Sequence, residues 1–150
     1  MLYIGQNLIS DIAPLEEIEH LVVLDLSENR IRDISPLSEA VDLYRLHLDS
    51  NQIEDLSPLA SMNNLRVLWL SENHVSDLAP LSELSNLELL DLSENDVDDI
   101  SALVANGGLG SGDRVDLRHN NLNLESGSPD IEHIHALQAR GVEVLYEPQR

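Results

Sequence analysis

The sequence predicts an α/β solenoid, a stack of short parallel strands with one strand per 22-residue unit, closed at its C-terminal end by a helix and a last strand. Three observations carry this reading. First, Asn7, Asn29, Asn51, Asn73 and Asn95 stand 22 residues apart each time, with Leu and Ile recurring in register around them. Second, 29 of the 150 residues are Leu, none is Phe, and only Tyr3, Tyr44, Trp69 and Tyr146 are aromatic. Such a core repeats one small residue type in many equivalent holes. Third, the Leu-x-Leu alternation in each unit makes a short strand with one buried face. One such unit cannot cover its own apolar face, so neighbours must stack.

In chain order, Leu21, Leu24, Leu26, Asn29 and Ile31 align with Leu43, Leu46, Leu48, Asn51 and Ile53. The next two units run from Leu65 to Val75 and from Leu87 to Val97. This pattern, L-x-x-L-x-L-x-x-N-x-[IL], resembles the leucine-rich repeat. The 22-residue period and the run Asp-Ile/Leu-Ser/Ala-Pro-Leu are similar to the internalin-like bacterial repeats and to the related phosphatase-regulator-like class. Asn51 to Leu59 comes closest to the internalin form, and the resemblance covers residues 2 to about 124. It implies a right-handed solenoid with a parallel β-sheet on the concave face, short 3₁₀ turns on the convex face and a C-terminal helix-strand cap. It also implies a protein-binding module, since the class covers adhesins, enzyme regulators and cytoplasmic scaffolds. Six strands spaced about 4.8 Å apart make a wall roughly 25 Å long. The repeated Asn stands where the chain leaves the strand, and its amide can donate to and accept from the turn backbone.

Asp11, Asp33, Asp55, Asp77 and Asp99 also recur every 22 residues, and Pro14, Pro36, Pro58 and Pro80 follow three residues later in four units. Asp, Ser and Pro start helices, and the segment left over is short, so one or two 3₁₀ turns are expected there. Capping accounts for the Asp column without a metal. The fifth unit has Ala102 in place of Pro, and a change of path is expected where the period also breaks. Residues 104–114 form a Gly-rich insertion, expected to be a flexible loop; it has neither the strand-to-helix context nor the basic residue of a phosphate cradle. Val115, Leu117, Asn120 and Leu122 then restore the strand and turn, which places the repeats at residues 1–122. Residues 123–150 read as the cap. Ser128-Pro129-Asp130 starts a helix, Ile131, Ile134 and Leu137 give it an apolar face, Gly141 ends it, and Val142 to Tyr146 is a last strand. The N-terminus begins inside a unit, at Leu2-Tyr3-Ile4, so its open strand edge is expected either to continue into upstream sequence or to pair with a second copy.

Composition narrows the function. The net charge is −20, from 28 acidic residues against eight arginines, and there is no Lys. Polyphosphate partners are repelled, which argues against nucleic acid and against an anionic membrane surface. The same excess of acid resembles proteins of a salt-rich cytoplasm, because salt screens the self-repulsion. Without Cys there is no disulfide, thiolate nucleophile or Cys-bound zinc. Without Lys there is no Schiff base and no Walker-A loop. No basic segment followed by an apolar run marks a signal peptide, and no stretch reaches the ~18 apolar residues of a membrane span. A cytoplasmic protein or a truncated cell-surface protein is expected.

The strand residues between the leucines face outward. The middle column reads Tyr3, Asp25, His47, Trp69, Asp91, Asp116, and the column before it reads Met1, Val23, Arg45, Val67, Leu89, Arg114. Trp69 falls at the centre, flanked by apolar Val23, Val67 and Leu89, by Arg45 and His47, and by an acidic margin that includes Asp25, Glu28, Asp49, Glu72, Asp91 and Glu94. An aromatic anchor inside a polar rim is the anatomy of a protein interface. The expected function is therefore binding of a protein or peptide, with Trp69 as anchor and Val67, Leu89, Arg45, His47, Val23, Asp25, Asp91 and Glu72 around it, and with no cofactor. The alternatives are a scaffold fragment of a larger surface or regulatory protein whose partner site lies elsewhere, and a hydrolase using Asp25 and His47 with Ser27 or Ser71. An open wall without a pocket argues against the hydrolase. For metals, His133 and His135 point in different directions on the predicted helix. The dense Glu94, Asp96, Asp98 and Asp99 lack the glycine and spacing of a calcium loop. Only weak cation binding is expected.

Overall fold

The computed structural model describes residues 1–150 as one seven-stranded sheet in chain order, every neighbouring pair parallel. The strands are β1 (Leu2–Tyr3), β2 (Val23–Asp25), β3 (Arg45–His47), β4 (Val67–Trp69), β5 (Leu89–Asp91), β6 (Arg114–Asp116) and β7 (Glu143–Leu145). Register follows the period: Leu24, Leu46, Leu68 and Leu90 align in a row and are almost fully enclosed. They belong to a single core of 35 buried apolar residues that runs the length of the stack. The wall is one strand longer than the six repeat strands, because β7 of the cap adds to β6. At ~4.8 Å per step it spans roughly 29 Å.

Four 3₁₀ turns return the chain opposite the sheet, at Ala13–Glu17, Ser35–Leu37, Ser57–Leu59 and Ala79–Leu81, each with Pro in its first turn. The Asp column starts them as Asx turns: Asp11, Asp33, Asp55, Asp77 and Asp99 accept the backbone N–H two residues on, at 2.7–2.9 Å. In the fifth unit, where Ala102 replaces Pro, the segment is a short α-helix, α1 (Ser101–Ala105).

The glycine-rich insertion is not a loose loop. Asn106 is fully buried and its Nδ2 donates to Leu81 O and Leu84 O, while Leu109 sits in the core. Gly108 lies so close to the Ser85 backbone that a Cβ would stand 1.9 Å from its carbonyl oxygen. Gly108 thus serves close approach rather than mobility, while Gly107 and Gly112 face open space. The cap helix α2 (Pro129–Ala139) starts as expected: Ser128 caps the Ile131 N–H, Ile134 and Leu137 are buried, and Gly141 leaves the helix with φ +92°.

Candidate functional site

The concave face is built by strand register. Tyr3, Asp25, His47, Trp69, Asp91 and Asp116 are successive partners across the sheet. Trp69 lies outside the core and is half-buried on the middle strand. The His47 ring stacks on the indole, with centroids 3.9 Å apart and planes 25° from parallel. Burial holds His47 below the usual histidine range, with Asp25 pulling it up and Arg45 pushing it further down. The ring is therefore neutral at pH 7 and packs as an aromatic. Together the two rings form a plate at the centre of the wall.

The surroundings differ in part from the expectation. Val23 and Leu89 are half-buried and Arg45 is exposed, as the outward column requires. Val67 is not exposed apolar surface: it is only 8% accessible, lying between its register partners Arg45 and Leu89 on a strand with neighbours on both sides. Asp25 and Asp91 are half-buried, and each Oδ1 accepts the N–H and the hydroxyl of the serine two residues on, Ser27 and Ser93. Glu72 is exposed and accepts from Ser50. At the C-terminal end of the wall, Asp116 is buried and paired with Arg118 through two of its guanidinium nitrogens.

Asp25 and His47 are adjacent by register. Yet the Asp25 carboxylate is tied to Ser27 while His47 faces Trp69, so the acid does not orient the imidazole as a catalytic pair requires.

Asp49 carries more weight than its place in the acidic margin suggests. Its Oδ1 is buried and finds no hydrogen-bond partner. Burial pushes its carboxyl up to about 6, and Asp91, Asp25 and Glu72 add to the rise. The signal in the sequence is that Asp49 replaces the serine of neighbouring units, Ser27, Ser71 and Ser93. The structure also brings together residues far apart in the sequence. Asp99 of the fifth unit meets Asp130 and His133 of the cap helix. The spacing of Asp130 and His133, one helical turn apart, is the only hint of this in the chain. At the other end, β1 has a single strand neighbour, and Met1, Tyr3 and Leu8 are well exposed.

This ladder of strands, turns and buried asparagines defines a leucine-rich-repeat protein of the internalin-like class. The chain belongs to the leucine-rich-repeat family, whose two-copy repeat model matches residues 1–39, 19–61, 43–83 and 63–105. Among solved structures it is similar to an internalin (inlF) of Listeria monocytogenes, at 26% identity and a TM-score of 0.70, over 99% of this chain and 47% of that one. A leucine-rich-repeat protein of Leptospira interrogans superposes with a TM-score of 0.74 at 22% identity, over 99% of this chain and 43% of the other. The functional domain of InlJ from Listeria monocytogenes, described as including a cysteine ladder, matches at 23% identity with a TM-score of 0.67, over 95% of this chain and 28% of that one. The present chain has no cysteine. It thus spans less than half the length of these bacterial relatives. No curated protein matches it by sequence.

Proposed function

We propose that the chain is a protein- or peptide-binding module that holds its partner on the concave strand face, with Trp69 as the anchor, and that it performs no catalysis. The observation that carries this reading is the stacked Trp69–His47 plate at mid-wall, half-exposed and set inside an acidic margin. Large, rigid aromatic surface binds at low entropic cost and concentrates the affinity of an interface. Arg45, His47, Val23 and Leu89 complete the patch, with Asp25, Asp91 and Glu72 at its rim. Val67 stands beside it on the same face, enclosed between Arg45 and Leu89. An Asp25 carboxylate tied to Ser27 rather than to His47 favours binding over hydrolysis, and a broad hydrolase screen tests that part.

The decisive experiment is recovery of partners from the source organism by wild-type protein and by Trp69→Ala. The indole is outside the core, so the variant folds with nearly unchanged thermal stability, and partner binding weakens by about 2 kcal/mol or more. Strong loss of stability with undiminished binding overturns the assignment. A second reading, a scaffold segment of a larger surface or regulatory protein, rests on the chain's 47% share of the internalin's length. In that case Trp69→Ala leaves partner recovery unchanged as well as the fold.

A further inference from the structure

The convex side of the stack carries a cluster that the repeat does not explain. All five column aspartates accept a backbone N–H, but Asp99 alone also meets metal-ligating side chains of the cap: one ligand atom each from Asp99, Asp130 and His133 lie within 4.8 Å of one another. The three come from two parts of the chain, the turn that opens α1 and one face of α2. Asp130 is 7% accessible. Each carboxylate has one oxygen pinned by backbone: Asp99 Oδ1 accepts from Ser101 N at 2.7 Å, and Asp130 Oδ2 from Asn123 N at 2.9 Å. The second oxygen of Asp130 makes no hydrogen bond, and Asp99 has only Ser101 as its partner. His133 Nδ1 is enclosed and has no partner either. Asp99 itself is exposed, but the enclosed Asp130 and the shut-away Nδ1 of His133 set the cluster apart from the wholly solvated acids elsewhere on this surface. It is a donor set that lacks its acceptor.

We propose that Asp99, Asp130 and His133 form a site for a divalent late transition metal, with Zn²⁺ as its representative, which fastens the cap to the last repeat. Points 4.8 Å apart surround an ion at roughly 2.8 Å from each, and small side-chain rotations bring that to the ~2.0–2.2 Å of zinc–nitrogen and zinc–oxygen bonds. Imidazole among the ligands favours zinc and its neighbours over calcium or magnesium, which take oxygen alone. The backbone bonds to Asp99 and Asp130 do what outer-shell partners do at metal sites: they fix the orientation of the ligand. Water fills the remaining positions. Because α1 and α2 pack together across this point, the ion binds the folded cap and not the unfolded chain.

Calorimetry and thermal unfolding with Zn²⁺, and with Mg²⁺ as control, test the site on wild-type protein, Asp99→Asn and His133→Ala. Asp99→Asn keeps the oxygen that accepts from Ser101, so its Asx turn survives. Wild type is expected to take up one Zn²⁺ saturably and to melt at a higher temperature with it, while Mg²⁺ binds without saturation. Both variants bind Zn²⁺ about tenfold more weakly or worse and lose the thermal shift. Cobalt substitution gives a second readout, a visible absorption band present in wild type and missing in both variants. Equal Zn²⁺ affinity in all three proteins, or no saturable uptake by wild type, overturns the site and leaves only diffuse attraction to an acidic surface.

Discussion

Asp49 shows how one side chain can depart from the repeat that carries it. Its counterparts Ser27, Ser71 and Ser93 are neutral, and a half-buried carboxylate in their place has one enclosed oxygen unpartnered and acids nearby. Its folded-state pKa, about 6, lies above that of the unfolded chain, about 3.9. The protonated form is the one the fold favours, so the stability it contributes is fully present below about pH 4 and is lost as pH rises through about 6. Asp49→Asn should therefore match wild type near pH 4 and exceed it by about 1 kcal/mol near pH 7.5, after allowance for the water that reaches the carboxylate. Chemical denaturation of both proteins at the two pH values measures this, and equal stabilities at both would show Asp49 to be solvated. Val67 makes a related point about the same wall. Alternation along a strand gives a side chain's direction, but its exposure depends on what stands in the adjacent strands, and there Val67 is enclosed.

At the scale of the element, the asparagine ladder carries the turn. Asn95 is fully buried; its Nδ2 donates to Leu70 O, Leu92 O and Ser93 O, and its Oδ1 accepts from Val75 N. Asn29, Asn51 and Asn73 repeat the set, and Asn120 closes it across the longer fifth unit. The residue just before each Asn adopts a left-handed conformation although none is glycine: Gln6, Glu28, Ser50, Glu72, Glu94 and His119 have φ between 51° and 59°. That conformation costs roughly 1 kcal/mol or more per residue, and the Asn hydrogen bonds hold it in place. Asn95→Ala removes bonds within its own unit and to the preceding one at once and orphans enclosed backbone groups. It should cost about 3 kcal/mol in urea unfolding, against under 1 kcal/mol for the half-exposed Asp96→Ala. Equal small losses from both would mean that water replaces the amide.

Charge governs the behaviour of the whole molecule. A net charge of −20 on 150 residues leaves most carboxylates without a cation, and four of the eight arginines, Arg66, Arg114, Arg118 and Arg150, are in ion pairs. Like charges repeat at the same height of each unit, so the solenoid lines them up rather than dispersing them. Screening shortens from about 10 Å at 0.1 M salt to about 3 Å at 1 M. The melting temperature should accordingly rise over that range. A flat or falling curve from a salt series would remove the reading of a protein suited to high salt.

Most of the fold can be read from the chain itself. The 22-residue beat, the Asn and Asp columns and the Leu register determine strands, turns and core, because a repeat imposes the same local problem many times and each copy checks the others. The helix of the cap is equally plain from Ser128, Pro129 and Gly141. Trp69 falls at the centre of the outward wall for the same reason. Other features needed tertiary structure: the stacking of His47 on Trp69, the burial of Val67, the packing of the Gly-rich insertion against Ser85, and the meeting of Asp99 with Asp130 and His133. Each of these is set by distance between side chains on different units or by departures from the period. A one-dimensional pattern records which residues recur; it holds no information on which non-recurring ones come to touch.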